Sequence, residues 1–258
     1  MDQNEPEFLD VGDGPSRRRI AFRRRPPARE GQPGVVWLGG FKSDMTSTKA
    51  AALDDHCARR GQALLRFDYS GHGASGGRFE DGTISHWLEE SLATIRAAAS
   101  GPQILVGSSM GGYLALLAAR TFEAAGEAAR LAGMVLIAPA VDFTEVLMWQ
   151  RFPEAAKRDL AEKGEWLRPS EYGEPYPITR GLIEEGRQHL LLGGMIETGC
   201  PVRILQGVQD PDVPWNHAVA LTSRLAQDDV VLTLVKDGDH RLSRPEDLER
   251  LIKAVGEF

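Results

Sequence analysis

Cysteine is nearly missing from this chain: its 258 residues hold only Cys57 and Cys200. Two thiols cannot staple a chain of this length, so the fold must be stabilised by burial of apolar surface, and neither cysteine sits in a catalytic motif. Unpaired thiols suit a reducing compartment. An excess of positive charge is lacking too. The formal net charge is −7, which argues against general affinity for nucleic acid or anionic membrane. The six arginines between Arg17 and Arg25 then read as the solvated face of a strand rather than a nucleic-acid patch. No stretch approaches the ~20 apolar residues that a membrane span needs. The first fourteen residues are acidic and have no apolar core, unlike a secretory signal or a basic transit segment. These absences set the expectation of a cytoplasmic protein with a flexible lead over 1–14. Metal-ligand spacings, phosphate-cradling loops, dinucleotide fingerprints and internal repeats are absent as well, so neither metal nor cofactor is expected.

What is present is an ordinary globular composition, 42% hydrophobic and 26% charged. Short apolar runs alternate with helical patterns. Strands are expected near 17–25, 34–38, 63–68, 103–108, 134–138, 201–205 and 230–235. Helices are expected over 46–60, after Thr83, from Met110 to about Arg130, and over 215–226 and 245–255. Continuous apolar strands separated by helices imply a mostly parallel sheet covered on both faces. Between 142 and 198 the rhythm breaks. This stretch holds prolines at 153, 169, 175 and 177, aromatics that include Tyr172 and Tyr176, and three helical pieces near 143–148, 153–163 and 179–190. It reads as a small helical lid inserted after the sixth strand, with 15–141 and 199–258 forming the core. The apolar lid residues Phe143, Val146, Leu147, Met148, Trp149, Phe152 and 190–192 suit either the border of an acyl pocket or the lid's own core.

One stretch carries chemistry. Gln103 to Gly107 is an apolar run that leads into Gly107-Ser108-Ser109-Met110-Gly111, after which a helical pattern begins at once. Gly-x-Ser-x-Gly between a strand and a helix is the nucleophile elbow, a tight turn that exposes one serine hydroxyl. The following helix aims free N–H groups at that hydroxyl, so the Met110 N–H is one expected oxyanion donor, joined by another from the loop after Leu38. A serine needs a histidine to take its proton, and the histidine needs a carboxylate to orient it. Catalytic groups of a parallel sheet collect at the carboxyl ends of strands. Of the six histidines, His240 alone follows the last strand; His72 lies in a glycine loop, where a packing role is expected. Between serine and histidine in the chain, Asp210 and Asp212 both follow the penultimate strand. Asp210 is preferred because it sits directly off that strand, and Asp212 is read as a turn cap. The order Ser109, Asp210, His240 is that of the α/β-hydrolase fold.

From about Ile20 to Val255 the chain resembles the α/β-hydrolase superfamily. Residues 38–44 (Leu-Gly-Gly-Phe-Lys-Ser-Asp), 65–71 (Leu-Arg-Phe-Asp-Tyr-Ser-Gly) and 101–109 resemble, within it, the group of mitochondrial palmitoyl-protein thioesterases and acyl-glucuronide esterases. The pieces 163–166 (Lys-Gly-Glu-Trp), 213–215 (Val-Pro-Trp) and 239–241 (Asp-His-Arg) are similar too. The resemblance implies Phe41 as the second oxyanion donor, although Leu38-Gly39 stands where many relatives carry His-Gly. It also implies cleavage of acyl thioesters or carboxylic esters, on a small molecule or an acylated protein. On the same fold, a peptidase, a lactonase or a cofactor-free haloperoxidase remains open, as does a non-catalytic binding module.

Overall fold

A computed structural model describes residues 5–169, 174–226 and 229–258. Apolar runs that find burial on both faces build the sheet: β3 (Gly34–Leu38), β4 (Leu64–Phe67) and β5 (Gln103–Ser108) are buried at every position. With β1 (Glu7–Val11), β2 (Arg18–Arg25), β6 (Leu131–Ile137), β9 (Val202–Gly207) and β10 (Val230–Val235) they form an eight-stranded sheet ordered β1-β2-β4-β3-β5-β6-β9-β10. β2 runs antiparallel to both of its neighbours, β1 and β4, and the remaining pairings are parallel. Parallel strands put their carboxyl ends on one rim, so the loops that follow β3, β4, β5, β9 and β10 meet there.

Helices α1 (Thr48–Arg60), α2 (Ile84–Ala98), α3 (Met110–Ala124), α6 (Trp215–Thr222) and α7 (Pro245–Val255) cover the sheet. Their starts and stops follow local chemistry. Thr83 caps α2 by accepting from the His86 N–H, and α1 ends at Gly61 in the left-handed conformation, φ 66°. Apolar side chains fill both faces: Leu65, Trp87, Leu105, Tyr113 and Phe122 on one, Val35, Trp37, Ile104 and Val135 on the other.

Three details differ from the sequence reading. Glu7–Val11 is a strand rather than a flexible lead, because its backbone pairs with the edge of β2. α3 stops at Ala124 instead of continuing to Arg130, since Gly126 (φ 71°) turns the chain where alanine content alone suggests helix. α6 stops at Thr222 because Leu225 bridges to Ile196 and the Ala226 N–H donates to the Ile196 carbonyl.

The 142–198 insertion follows β6. It holds a single π-turn (Thr144–Met148), α4 (Glu154–Lys163), α5 (Arg180–Gly186) and a two-stranded antiparallel hairpin of β7 (Glu165–Arg168) and β8 (Tyr176–Thr179). The hairpin is absent from the sequence reading because Pro177 lies within one of its strands and masks the alternation. Tyr172 lies outside the described residues. The insertion's two ends are fastened to each other at Asp142. Its buried carboxylate accepts the Leu191 N–H at 2.8 Å and the Leu192 N–H at 2.9 Å, while its backbone sits at φ 54°. Burial pushes this carboxyl above its usual range, and the two amide donors oppose that rise.

Asp142→Ala removes both acceptors from buried amides. It is expected to cost about 2–4 kcal/mol in urea unfolding, with faster hydrogen exchange at Leu191 and Leu192. A loss within ~0.5 kcal/mol would show that other contacts hold the ends of the insertion together.

Candidate active site

The turn from β5 into α3 can exist only with very small residues at two positions. A Cβ on Gly111 would come within 2.0 Å of the Leu38 carbonyl oxygen, and one on Gly107 within 2.4 Å of the Gly111 carbonyl oxygen. This close approach lets α3 start directly off the strand and holds Ser109 at φ 54°, ψ −116°, a conformation that non-glycine residues seldom adopt. The surroundings over-determine it. The Ser109 N–H donates to the Ile137 carbonyl at 2.8 Å, and the Ser109 carbonyl accepts from the Gly112, Tyr113 and Ala140 N–H groups.

The loops after β9 and β10 bring two distant residues to this hydroxyl. His240 Nε2 lies 3.2 Å from Ser109 Oγ, and its Nδ1 lies 2.8 Å from Asp210 Oδ2. The Asp210 side chain is fully buried, and its oxygens are surrounded by donors. Oδ1 accepts the Asp212 and Val213 N–H groups at 2.9 and 2.8 Å, and Oδ2 accepts Gln206 Nε2 at 3.1 Å. Such a shell fixes the position of the carboxylate, and the imidazole stands with Nδ1 toward Asp210 and Nε2 toward the serine. Asp212, the alternative acid, turns out to give its backbone N–H to Asp210 and to line the cavity. Asp210, Asp212 and His240 do offer ligand atoms within 4.8 Å of one another. The donors already on both Asp210 oxygens suit an orienting carboxylate better than a metal ligand. Gln206, which steadies Asp210, has no sequence signature: it is simply an inward residue near the end of β9.

Gly40 and Phe41 lie across from the elbow, and Phe41 and Met110 both line the cavity beside Ser109. The Phe41 ring is packed edge-on by Phe79 at 4.9 Å and Trp87 at 5.8 Å, and tilts against Phe143 at 5.8 Å. Its loop is fastened from behind. The next residue, Lys42, sits at φ 60° and donates its N–H to His72 Nε2 at 3.0 Å. Asp68 adds a second anchor, accepting the Met45 N–H at 2.6 Å and the Ala74 N–H at 2.8 Å. The packing role expected for His72 is therefore more specific: it is a hydrogen-bond acceptor for the loop that carries Phe41. Burial keeps its pKa below the ordinary value of 6.5. Both cysteines are buried and free, and burial pushes their thiols up to about 12 at Cys57 and about 11 at Cys200, so neither supplies a thiolate.

The cavity in front of Ser109 has a volume of about 860 Å³. The insertion contributes Phe143, Leu147, Met148, Arg168 and Tyr176 to its wall. Phe152 instead packs against Trp166 at 4.8 Å within the insertion, and Leu191 is buried in the core. The apolar residues of this segment thus divide between bordering the cavity and filling the segment's own interior. Among the described residues, no helix is long and apolar enough to cross a membrane.

Comparison with known proteins bears on the family and the fold. The family model described as "Serine aminopeptidase, S33" matches residues 34–188. A curated relative from Homo sapiens, named mitochondrial palmitoyl-protein thioesterase ABHD10, is 36% identical over 97% of this chain and 79% of its own length. Among solved structures, a putative hydrolase from Agrobacterium vitis S4 is 51% identical, with a TM-score of 0.95 and 98% of both chains covered. The mouse α/β-hydrolase domain-containing protein 10 is 33% identical, with a TM-score of 0.86 over 98% of this chain and 97% of its own.

The neutral His72 ring makes stability depend on pH. Its pKa is lower in the folded chain than in the unfolded one, so the unfolded chain takes up the proton first on acidification. The stabilisation is complete well above pH 6.5 and drains away as pH falls from there toward the folded pKa. His72→Ala is expected to cost about 2–4 kcal/mol at pH 7.5, through the lost acceptor and the space left behind. The gap between wild type and variant should narrow toward pH 5.5 in urea titrations. A constant gap would mean that the ring does not resist protonation.

Proposed function

The chain belongs to the α/β-hydrolase superfamily and to the group of its relatives named palmitoyl-protein thioesterase, and as such it is a hydrolase; we propose that it cleaves acyl thioesters or carboxylic esters through an acyl-enzyme on Ser109. The observation that carries this reading is the continuous contact from Asp210 through His240 to Ser109 Oγ at the mouth of a cavity with an apolar wall. Ser109 Oγ attacks the acyl carbon while His240 Nε2 takes the hydroxyl proton, and Asp210 stabilises the imidazolium that forms. The backbone N–H groups of Met110 and Phe41 are assigned to the oxyanion, with α3 adding the positive end of its dipole. When the carbon–sulfur or carbon–oxygen bond breaks, His240 returns the proton to the leaving atom. Water then attacks the acyl-serine, giving its proton to His240, and the acid departs as Ser109 regains its hydrogen.

The 142–198 insertion is assigned the role of a lid whose Phe143, Leu147 and Met148 accept the acyl chain. Substrates are then small acyl esters or thioesters, or an acylated protein presenting its chain to this cavity. The buried free thiols suit a reducing compartment such as the cytoplasm, whereas the curated relatives are named mitochondrial.

One observation favours a second reading: the matching family model carries an aminopeptidase description. A panel of acyl thioesters, p-nitrophenyl esters and aminoacyl peptides separates the two, and peptide preference would sink the thioesterase reading. Ser109→Ala is expected to lower kcat by at least ~10⁴-fold, with labelling by fluorophosphonate probes abolished and unfolding unchanged within ~1 kcal/mol. A variant that still labels and turns over would place the nucleophile elsewhere.

A further inference from the structure

The core side of the cavity has a different chemistry from the side lined by the insertion. There the wall is made by the start of α1 and the loop after β10, through Ser47, Thr48, Lys49, Arg241 and Ser243. Lys49 Nζ donates to the Arg241 carbonyl and to Ser243 Oγ at 3.3 Å, which leaves one of its three N–H groups over. The Arg241 guanidinium lies close enough to repel it. Neither cation forms an ion pair with a carboxylate among the described residues, in contrast to Arg244, which binds Asp237 and Asp247. The carboxylates nearest to Lys49 are committed elsewhere: Asp239 accepts the Leu242 N–H, and Asp247 accepts from Arg244 and Arg250. Ser47, at the N-terminus of α1, makes no side-chain cap, and its Oγ is buried without a partner among the described residues. Two like charges that line one cavity without a carboxylate partner are arranged for an anion that is not part of the chain.

We propose that Lys49 and Arg241 form a subsite that binds an anionic group, a carboxylate or a phosphate, on the leaving-group portion of the substrate. The inference rests on the serine-hydrolase reading above. Its direction follows from the proton path. His240 must hand its proton to the leaving atom, so the leaving group lies against the His240 loop, and Arg241 and Ser243 belong to that loop. The acyl chain then takes the opposite, apolar wall of Phe143, Leu147 and Met148. Burial and the neighbouring guanidinium lower the Lys49 pKa to about 8, so a bound anion would also hold this lysine in its charged form.

The test compares octanoyl thioesters whose leaving groups are anionic or neutral. One arm pairs octanoyl-coenzyme A, which carries phosphates, with octanoyl-N-acetylcysteamine, which is neutral. The other pairs the octanoyl thioester of 3-mercaptopropionate with that of its methyl ester. In wild type, kcat/KM for the anionic member of at least one pair should exceed that for the neutral member by tenfold or more. Lys49→Met and Arg241→Gln should each reduce that ratio at least fivefold. Because the ratio is internal to each preparation, a partly unfolded variant does not mimic the effect, and the exposed Arg241 serves as control for any strain at Lys49. A fall confined to one arm identifies phosphate or carboxylate as the ligand. Wild-type turnover of the neutral thioesters with a ratio near one in both arms overturns the subsite alone, as do variants that keep the wild-type ratio. No turnover of any thioester, together with no labelling of Ser109, fails the hydrolase reading and takes the subsite with it.

Discussion

Everything at the rim depends on how closely α3 approaches the end of β3. The backbone of Gly111 rests against the Leu38 carbonyl with no room for a methyl group, and Gly107 is pressed in the same way against Gly111. That approach forces the chain into a turn too sharp for ordinary residues, so Ser109 occupies a conformation it would not choose. A strained residue persists only when its neighbours insist on it. Here the backbone of Ser109 is tied to Ile137, Gly112, Tyr113 and Ala140, three of them beyond the hydrogen-bonded pattern of its own strand. The same approach sets the first free N–H groups of α3 beside the loop that carries Phe41.

The rim is otherwise built from polar anchors that act at a distance. Asp68, His72, Asp142 and Asp210 are all buried, and each binds backbone amides or a ring that belongs to a different loop. A buried carboxylate or imidazole is expensive unless its partners are complete, so these residues fix loop positions more sharply than apolar packing does. Asp68 and His72 fasten the 40–47 loop, Asp142 closes the insertion on itself, and Gln206 with two amides steadies Asp210. Apolar packing finishes the work: Phe41 is wedged among Phe79, Trp87 and Phe143, which joins the core loop to the insertion across the cavity.

The two sides of the cavity meet at Ser109 with opposite character. Phe143, Leu147 and Met148 come from the insertion, with Arg168 beside them, and hydroxyls with Lys49 and Arg241 come from the start of α1 and the loop after β10. An ester or thioester has the same asymmetry, an acyl chain on one side of the carbonyl and a more polar leaving group on the other.

Much of this was legible in the sequence by itself, for reasons of range. Apolar runs and helical periodicity are local, so most strands, the order of elements and the elbow at 107–111 could be read directly. Parallel order then pointed to Ser109, Asp210 and His240, because strand ends share a rim; the structure brings these three within hydrogen-bonding reach. What it alone decided depends on contacts between residues far apart in the chain. The β1 strand exists through pairing with β2, and β7 through antiparallel pairing with β8, despite a proline in β8. The contacts of Gln206, Asp142 and Lys49 follow from which partners lie within about 3 Å. No periodicity or spacing encodes such distances, which are set only when the sheet has closed and its loops have packed.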